Sequence, residues 1–597
     1  MNARPVADAP VRPGIARTLG HGAGLAVSLA VYAAAAGLLW ARVGIPILSL
    51  DDIFRTVFAH EWAVAPYLFT ERLVWLPFPL IVTGVAMRLT GEAFWTALAV
   101  NVAASAVAIA CIHRLTERLF GGLAAWVAAS LFGLTPWVLF LSLSRHGEPV
   151  MFAATAIGVS AWLSWSERGR GRDLAVAALA LTAAVMSRYE AWPLTAAWAA
   201  HVGVTQLFAG RSALLSTRRP GWPGLWAWLP VFAMATWVGK NLVVYGHPVY
   251  GGAFGFLPSV APPGVWAGTL KTAQHLWAMS PAIVVLGLLG AALHGRRVPL
   301  LCVTVALALF VPWYTVSEFP VEVALQARLM AGPLMLLAPF AGAFVAKSLT
   351  PRLAAVALAV TLVGAQLAYD VRLRYPSPPL AMTSLALALA RSGDLERFDA
   401  LYVQSDHERG LADEVRVGTN FRRPVRVLSP SVSWSSLTAD GPHAVLILNE
   451  QRVPPVTDAF VVARARDATA WGVCPGLAVP DARAEWLDVR APGAIAAGRR
   501  ATLDVTVRNA GQDVWRPDGC GISLFHRWLG SDGQVAATDS WTAIRQQVEP
   551  GRTVALQLPI AVPASPGLYT LEIGLGARRS PSPSRERYRA SIRVTGG

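Results

Sequence analysis

Two adjacent carboxylates, Asp51 and Asp52, directly follow the first long apolar stretch of a 597-residue chain. Carboxylates side by side repel, which tends to raise the pKa of one of them. Such a group suits a general base that takes a proton from a hydroxyl or amine. Arg55 lies one helical turn further on. The same pair also reads as a solvated helix cap, a common place for Asp. A second group is Arg145-His146-Gly147-Glu148-Pro149, where Pro149 fits a first helical position and Glu148 its cap. A third is Ser187-Arg188-Tyr189-Glu190. An arginine there could hold a lipid phosphate bidentately, or pair with Glu190, or snorkel to the interface. Lys240, Lys271, His275 and Arg328 form a fourth set.

These groups need a scaffold, and the composition says which kind. The chain is 54% hydrophobic and only 15% charged, with mean hydropathy +0.46. An ordinary soluble domain carries roughly 25% charged residues, so a cytosolic enzyme, a disordered chain and a collagen-like chain are excluded. Apolar blocks of about 20 residues match the length of a bilayer-spanning helix. The net charge of +15 does not point to nucleic acid, because the arginines form no single basic stripe. Through residue 370 there are 24 Lys/Arg against 14 Asp/Glu, and beyond it 27 against 22. Much of the excess therefore lies among the apolar blocks, where short basic loops set orientation.

Eleven spans are expected, at 23–43, 93–113, 122–143, 149–166, 173–187, 190–208, 224–246, 279–294, 298–316, 329–347 and 352–369. The loops holding Arg114/Arg118, Arg168/Arg170/Arg172, Arg211/Arg218/Arg219, Arg296/Arg297 and Lys347/Arg352 alternate with the basic N-terminus, residues 1–22, and would face the cytoplasm. The first span is too long for a cleaved signal segment. Residues 44–92 then form the first outer loop, in which Leu73–Leu89, broken by Pro77 and Pro79, lies on or dips into the outer face. The candidate groups at 51–55, 145–148, 188–190, 271 and 328 all fall on the outer side. Trp62, Trp75, Trp137, Trp192, Trp266, Trp277 and Trp313 cluster there too, as an interfacial belt or as platforms for a sugar ring.

An odd number of spans places residues 371–597 outside. Residues 371–480 read as an α/β segment, with a helix through Met382–Arg391 and strands at Ala400–Gln404, Ala444–Leu448 and Ala459–Ala463. Residues 481–597 alternate apolar and polar at Ala501–Arg508, Thr553–Leu558, Tyr569–Gly574 and Tyr588–Val594, with turn signals between. This is the pattern of a β-sandwich. The segment Val507–Trp515 resembles Ig-like domains that use an Asn-x-Gly turn and a core Trp. Cys111 and Cys302 lie in apolar spans, while Cys474 and Cys520 lie in the tail and could pair in an oxidising compartment. No Cys/His spacing reads as a zinc site.

The order of these parts resembles the C-type (GT-C) integral-membrane glycosyltransferases, in particular the protein mannosyltransferase and aminoarabinose transferase branch. The resemblance rests on several features in sequence. An acidic pair follows the first span, and the Pro/Trp segment Val74-Trp75-Leu76-Pro77-Phe78-Pro79 comes next. Arg118-Leu119-Phe120-Gly121, Thr135-Pro136-Trp137 and Glu148 follow, and Arg328 leads into the Pro333 span. The family's acidic pair is commonly Asp-Glu, and its second acidic residue is often Asp; here they are Asp-Asp and Glu148.

The resemblance implies a transmembrane catalytic domain at 23–370 that moves a sugar from a polyprenyl-phosphate donor. The acceptor would be a lipid, protein or glycan at the outer face, and the anomeric centre would invert. Asp51 or Asp52 would be the base and Glu148 the second acidic residue, orienting the acceptor or a divalent metal. Arg55, Trp75, Arg145, His146, Arg188, Glu190, Lys271 and Arg328 would bind substrate. The expected location is a bacterial inner membrane, with the N-terminus cytoplasmic and the tail extracytoplasmic. The competing readings are a polytopic transporter or flippase of envelope lipids, an envelope-glycan polymerase or ligase on another fold, and a non-catalytic scaffold. Transporters tend to show internal repeats and mid-membrane charges, and neither feature is visible in this sequence.

Overall fold

The computed structural model describes residues 21–43, 50–67, 75–213, 223–246, 264–318, 328–347, 378–392, 394–404, 408–428, 442–448, 460–465, 468–473, 481–517, 520–577 and 586–596. The chain divides into two compact units, Met1–Pro376 and Ser377–Gly597.

The first unit is helical. Its described helices are α1 (His21–Val43), α2 (Leu50–Val64), α3 (Phe78–Thr90), α4 (Phe94–Phe120), α5 (Gly122–Gly133), α6 (Pro136–Leu143) and α7 (Glu148–Arg168). They continue with α8 (Gly171–Val185), α9 (Trp192–Ala213), α10 (Pro223–Tyr245), α11 (Gly264–Met279), α12 (Pro281–His294), α13 (Pro299–Glu318) and α14 (Ala331–Lys347). Among the described residues four helical segments are long and apolar enough to cross a membrane, or six if each of two bent pairs counts as one span. Eleven such spans are therefore not established, and the eleventh, 352–369, lies outside the described residues.

Two departures from the sequence reading have local causes. The expected span 122–143 is α5 plus α6, bent by 61°. Pro136 takes the first position of α6 after an extended Thr135, so the backbone hydrogen-bond ladder is interrupted there. The expected outer loop 247–278 contains α11 in its described part, and α11 meets the segment from Pro281 at 110°. Ser280 caps α12, its hydroxyl accepting from the Ile283 N–H at 3.3 Å, with Pro281 next. The described part of the expected segment Leu73–Leu89 contains most of α3, a 13-residue apolar helix.

Small residues let the helices approach closely, as they do where association depends on packing rather than on water exclusion. A Cβ on Gly290 of α12 would lie 2.0 Å from the Phe340 carbonyl oxygen of α14. A Cβ on Gly342 of α14 would lie 2.1 Å from the Ala124 carbonyl oxygen of α5. Both contacts are with backbone, which cannot swing aside. Gly290→Ala and Gly342→Ala should therefore each destabilise the bundle by about 1–3 kcal/mol or more. Thermal inactivation of the detergent-solubilised protein measures this; wild-type half-lives for both variants would sink the prediction.

The second unit contains a five-stranded sheet, order β2-β1-β3-β5-β4, formed by β1 (Ala400–Gln404), β2 (Val425–Leu428), β3 (His443–Leu448), β4 (Phe460–Ala465) and β5 (Ala468–Val473). Strands β2, β1 and β3 run parallel. Helices α15 (Pro378–Ser392) and α16 (Glu408–Gly418) supply Leu385, Leu389 and Val415 to its core, with Leu401 and Leu446 from the sheet. The sequence reading missed α16, β2 and β5.

Two further sheets enclose one apolar core. One has the order β10-β9-β12-β13-β7 and the other β11-β8-β6. The strands are β6 (Ala484–Arg490), β7 (Ala494–Ala496), β8 (Arg500–Asn509), β9 (Ile522–Leu529), β10 (Val535–Ala543), β11 (Thr553–Ala561), β12 (Gly567–Ala577) and β13 (Arg587–Thr595). The four expected strands are β8, β11, β12 and β13. The Gly511 N–H donates to Asn509 Oδ1 at 2.9 Å, and Asn509 Nδ2 donates to the Asp513 carbonyl at 2.9 Å. That turn delivers Trp515 into the core, fully buried. Cys520 is disulfide-bonded, while Cys111 and Cys302 are free thiols.

One sheet carries an acid-sensitive pair. Burial alone would raise the pKa of the Glu572 carboxyl. Hydrogen bonds from Arg589, Arg587 and Arg527 outweigh that and hold it below the ordinary value of 4.5. On β9, burial brings the His526 imidazole down to about 4. Both folded-state pKa values lie below the unfolded ones. The stability they contribute is therefore present above those unfolded values and is lost as pH falls. For His526 the window runs from 6.5 down to about 4. Over that window hydrogen exchange in β9 and β12 of the intact protein should speed up, and His526→Gln should flatten the response.

A buried ionic cluster as candidate active site

The candidate residues come from well-separated parts of the first unit. Helix α2 begins at Leu50, so Asp51 and Asp52 occupy its first turn, where negative charge opposes the exposed N–H groups. Arg55 follows one turn later. Asp52 is fully buried and accepts a hydrogen bond from the Arg145 backbone N–H at 3.0 Å. His146 Nε2 lies 3.4 Å from the same Asp52 oxygen. The other His146 nitrogen, Nδ1, lies 3.4 Å from Glu148 Oε2. His146 thus stands between two carboxylates with no exposed surface on its side chain (0%).

Glu148 opens α7 and is 1% exposed. Arg188, in the bend between α8 and α9, donates from Nη1 to Glu148 Oε1 at 2.7 Å. The same guanidinium grips Glu190 Oε1 through Nε at 2.9 Å and Nη2 at 2.8 Å. Arg328, in a short 3₁₀ turn before α14, reaches three partners. Its Nη2 lies 3.5 Å from Asp51 Oδ2, its Nε 3.6 Å from Glu148 Oε1, and its Nη1 3.2 Å from His146 Nδ1. Four carboxylates (Asp51, Asp52, Glu148, Glu190) thus share one region with four guanidiniums (Arg55, Arg145, Arg188, Arg328). Among them Asp51 is the open acid: its side chain is 32% exposed, against 0% for Asp52 and 1% for Glu148.

Cations at the edge rest on aromatic rings. The Arg55 guanidinium lies 5.3 Å from the Trp75 ring centre, and that of Arg145 5.1 Å from Phe94. Trp75 thereby joins the cluster. Lys271 sits on α11 and, among the described residues, forms no ion pair with it. Trp266 and Trp277 on α11 are 84% and 54% exposed and so suit the interfacial-belt reading.

Sequence reasoning missed Asn101. This buried amide on α4 donates to the carbonyls of Ser144 (2.9 Å) and His146 (2.5 Å), fixing the segment that carries Arg145, His146 and Glu148. A lone amide in an otherwise apolar span was the available signal. Among the described residues, no three His, Cys, Asp or Glu side chains are grouped to hold a metal.

The first unit thus combines apolar helices of membrane-spanning length with a dense cluster of paired charges. Residues 75–237 match the family model described as dolichyl-phosphate-mannose-protein mannosyltransferase. No curated protein matches the chain in sequence. Among solved structures the chain is similar to ArnT from Cupriavidus metallidurans bound to undecaprenyl phosphate, at 13% identity, covering 75% of this chain and 97% of that one, with TM-score 0.47. It is similar to the Archaeoglobus fulgidus oligosaccharyltransferase in complex with Zn and sulfate, at 10% identity, 95% and 98% coverage and TM-score 0.42. It is also similar to the arabinosyltransferase EmbB from Mycobacterium smegmatis, at 12% identity, 99% and 66% coverage and TM-score 0.35. The family whose model matches is one of mannosyltransferases, in keeping with the resemblance to C-type glycosyltransferases drawn from the order of motifs. The matched segment 75–237 contains Glu148, Arg188 and Glu190, whereas Asp51, Asp52 and Arg328 lie outside it.

Proposed function

We propose that this protein is a membrane glycosyltransferase that takes a sugar from a polyprenyl-phosphate donor at the extracytoplasmic face. The observation that carries this reading is the meeting of Asp51 with Arg328, and of Glu148 with Arg188 and Arg328, from segments up to 277 residues apart (51 to 328). Glycosyl transfer from a phosphate needs this pairing of a base with cations. The acceptor oxygen attacks the anomeric carbon, and the bond from that carbon to the phosphate oxygen breaks. The phosphate departs with the electron pair, and attack opposite the leaving group inverts the centre. Asp51 takes the acceptor proton, because its carboxylate is the one that solvent and substrate can reach. Asp52 and Glu148 are positioning residues: Asp52 holds the Arg145–His146 segment, and Glu148 holds Arg188 and Arg328. Arg328 beside Asp51 is placed to meet the charge that develops on the phosphate.

The disulfide at Cys520 supports a tail in an oxidising compartment. The acceptor is a lipid, protein or glycan of the envelope, and the tail helps to engage it. The test uses membranes containing the full chain, a panel of sugar-labelled polyprenyl phosphates and a crude envelope fraction as acceptor. Release of sugar from one donor, dependent on Asp51, is the expected result. No consumption of any donor would return the chain to the transporter and scaffold readings.

A further inference from the structure

The sandwich carries a charged face that the proposed reaction does not use. Along β9, β12 and β13, alternate residues such as Leu524, Leu571 and Ile592 enter the apolar core. Successive side chains on a strand point to opposite faces, so the residues between them form the outer face. The register sets these outer residues in rows. One row is Arg527, Glu572 and Arg589, and the next is Phe525, Gly574 and Arg587. Arg593 stands further along β13, opposite Leu568. The outer charges on these three strands are thus four arginines and one carboxylate.

Glu572 fixes three of the four arginines. It is fully buried, although it stands on the outer face. Arg527 Nε donates to its Oε1 at 2.7 Å, Arg587 Nη1 to the same oxygen at 2.6 Å, and Arg589 Nε to Oε2 at 2.8 Å. A single arginine can satisfy both oxygens of a carboxylate bidentately, so three exceed what burying Glu572 requires. Arg527 Nη1, Arg587 Nε and Nη2, and Arg589 Nη1 form no hydrogen bond among the described residues. The Arg589 side chain is 64% exposed, and Arg593 is exposed as well. Like charges held in fixed positions raise the local potential and draw anions to the face.

Aromatic surface adjoins these cations. Trp541 on β10 pairs with Phe525 and shares its face, the ring centres 5.2 Å apart. The Phe525 ring lies across Gly574, where an added Cβ would meet it at 2.4 Å, so the aromatic strip runs up to the row's end at Arg587. We propose that this outer face binds an acidic glycan, its carboxylates or phosphates on the arginines and a sugar ring against the part-exposed Trp541. Guanidiniums match both kinds of oxyanion. At strand spacings Arg589 and Arg593 stand about 13 Å apart, and Arg527 and Arg589 about 10 Å apart, so the array is longer than a single sugar ring. A bilayer suits the face less well: surface-binding cations need freedom to snorkel, whereas three of these four are held on a buried carboxylate. The inference does not rest on the glycosyltransferase reading of the helical unit.

The test uses the full-length protein in nanodiscs of zwitterionic lipid and follows the anisotropy of fluorescent probes. The probes are an oligogalacturonate, a phosphomannan oligosaccharide and a neutral mannan oligosaccharide of equal length. At least one acidic probe should bind wild type, and the neutral one should not. Arg589→Gln combined with Arg593→Gln should weaken that binding by about tenfold or more, since it removes two charged donors. Arg593→Glu alone should weaken it too, and this exposed site lies outside the Glu572 hydrogen bonds, so the fold is kept. Trp541→Ala should weaken it at unchanged charge. Failure of both acidic probes to bind wild type, or undiminished binding in the two arginine variants, overturns the site. Undiminished binding in Trp541→Ala, with equal capture of the nanodiscs by phosphatidylglycerol vesicles, would assign the face to a lipid surface and overturn the glycan. Glycan binding by a chain that transfers no sugar would leave this site standing and sink only the glycosyltransferase reading.

Discussion

Asp51→Asn should lower sugar transfer by about 10²–10⁴-fold, the usual contribution of a general base, while the protein inserts and melts like wild type. The two halves of this expectation have separate causes. Asp51 is the most open carboxylate of the cluster, its side chain 32% exposed, so solvent screens its 3.5 Å pairing with Arg328. Asp52 is the opposite case, buried against the Arg145 amide and His146. Asp52→Asn keeps an oxygen that can accept from that amide but removes the charge facing His146. It should therefore lower thermal stability and reduce transfer less than Asp51→Asn does. Transfer assays and melting curves on the two variants decide the matter. Abolished transfer in Asp52→Asn beside normal transfer in Asp51→Asn would assign the base to Asp52 instead.

Glu148→Ala should be among the most destabilising single changes in the helical unit, costing about 3–5 kcal/mol. Removing one member of a buried ionic group strands its partners without compensation. Here the stranded groups are Arg188 Nη1, Arg328 Nε and the His146 ring. Combining the change with Arg188→Met should cost less than the sum of the two single changes, by about 0.5–3 kcal/mol, because the two residues are in contact. Unfolding of the four proteins in detergent gives the cycle. Strict additivity would mean that the Glu148–Arg188 bond at 2.7 Å contributes nothing to stability.

Most of the cluster was readable because charge in an apolar setting stands out. Asp51, Asp52, Glu148, Arg188 and Arg328 each interrupt or border apolar runs, and topology alone placed them on one side. Their partners were not readable. Nothing in the spacing says that Arg328 reaches Asp51, or that Asn101 holds the backbone at Ser144 and His146. Lys271 satisfied the same sequence criteria as Arg328 and still stays outside the cluster.

In the tail, β8 and β11 were legible because one face is buried and the other exposed, which produces alternation. Strand β9 is buried along most of its length on both faces, so Ile522–Leu529 carries no alternation to detect. The bends at Pro136 and Ser280 were hidden for a related reason. Apolar content is continuous through Gly122–Leu143, and hydropathy does not register where the helix axis turns.

The order in which the cluster's members appear along the chain has a consequence for biogenesis. During synthesis Asp51, Asp52, Arg55, Arg145, Glu148, Arg188 and Glu190 all emerge before Arg328. Up to that point the group holds four carboxylates against three guanidiniums. A chain that ends before Arg328 therefore lacks the guanidinium that lies 3.5 Å from Asp51 Oδ2 and 3.6 Å from Glu148 Oε1. Arg328 sits in the turn that leads into α14, so the ionic cluster is complete only once that turn has been made. Helix insertion and completion of the site are thus separate events.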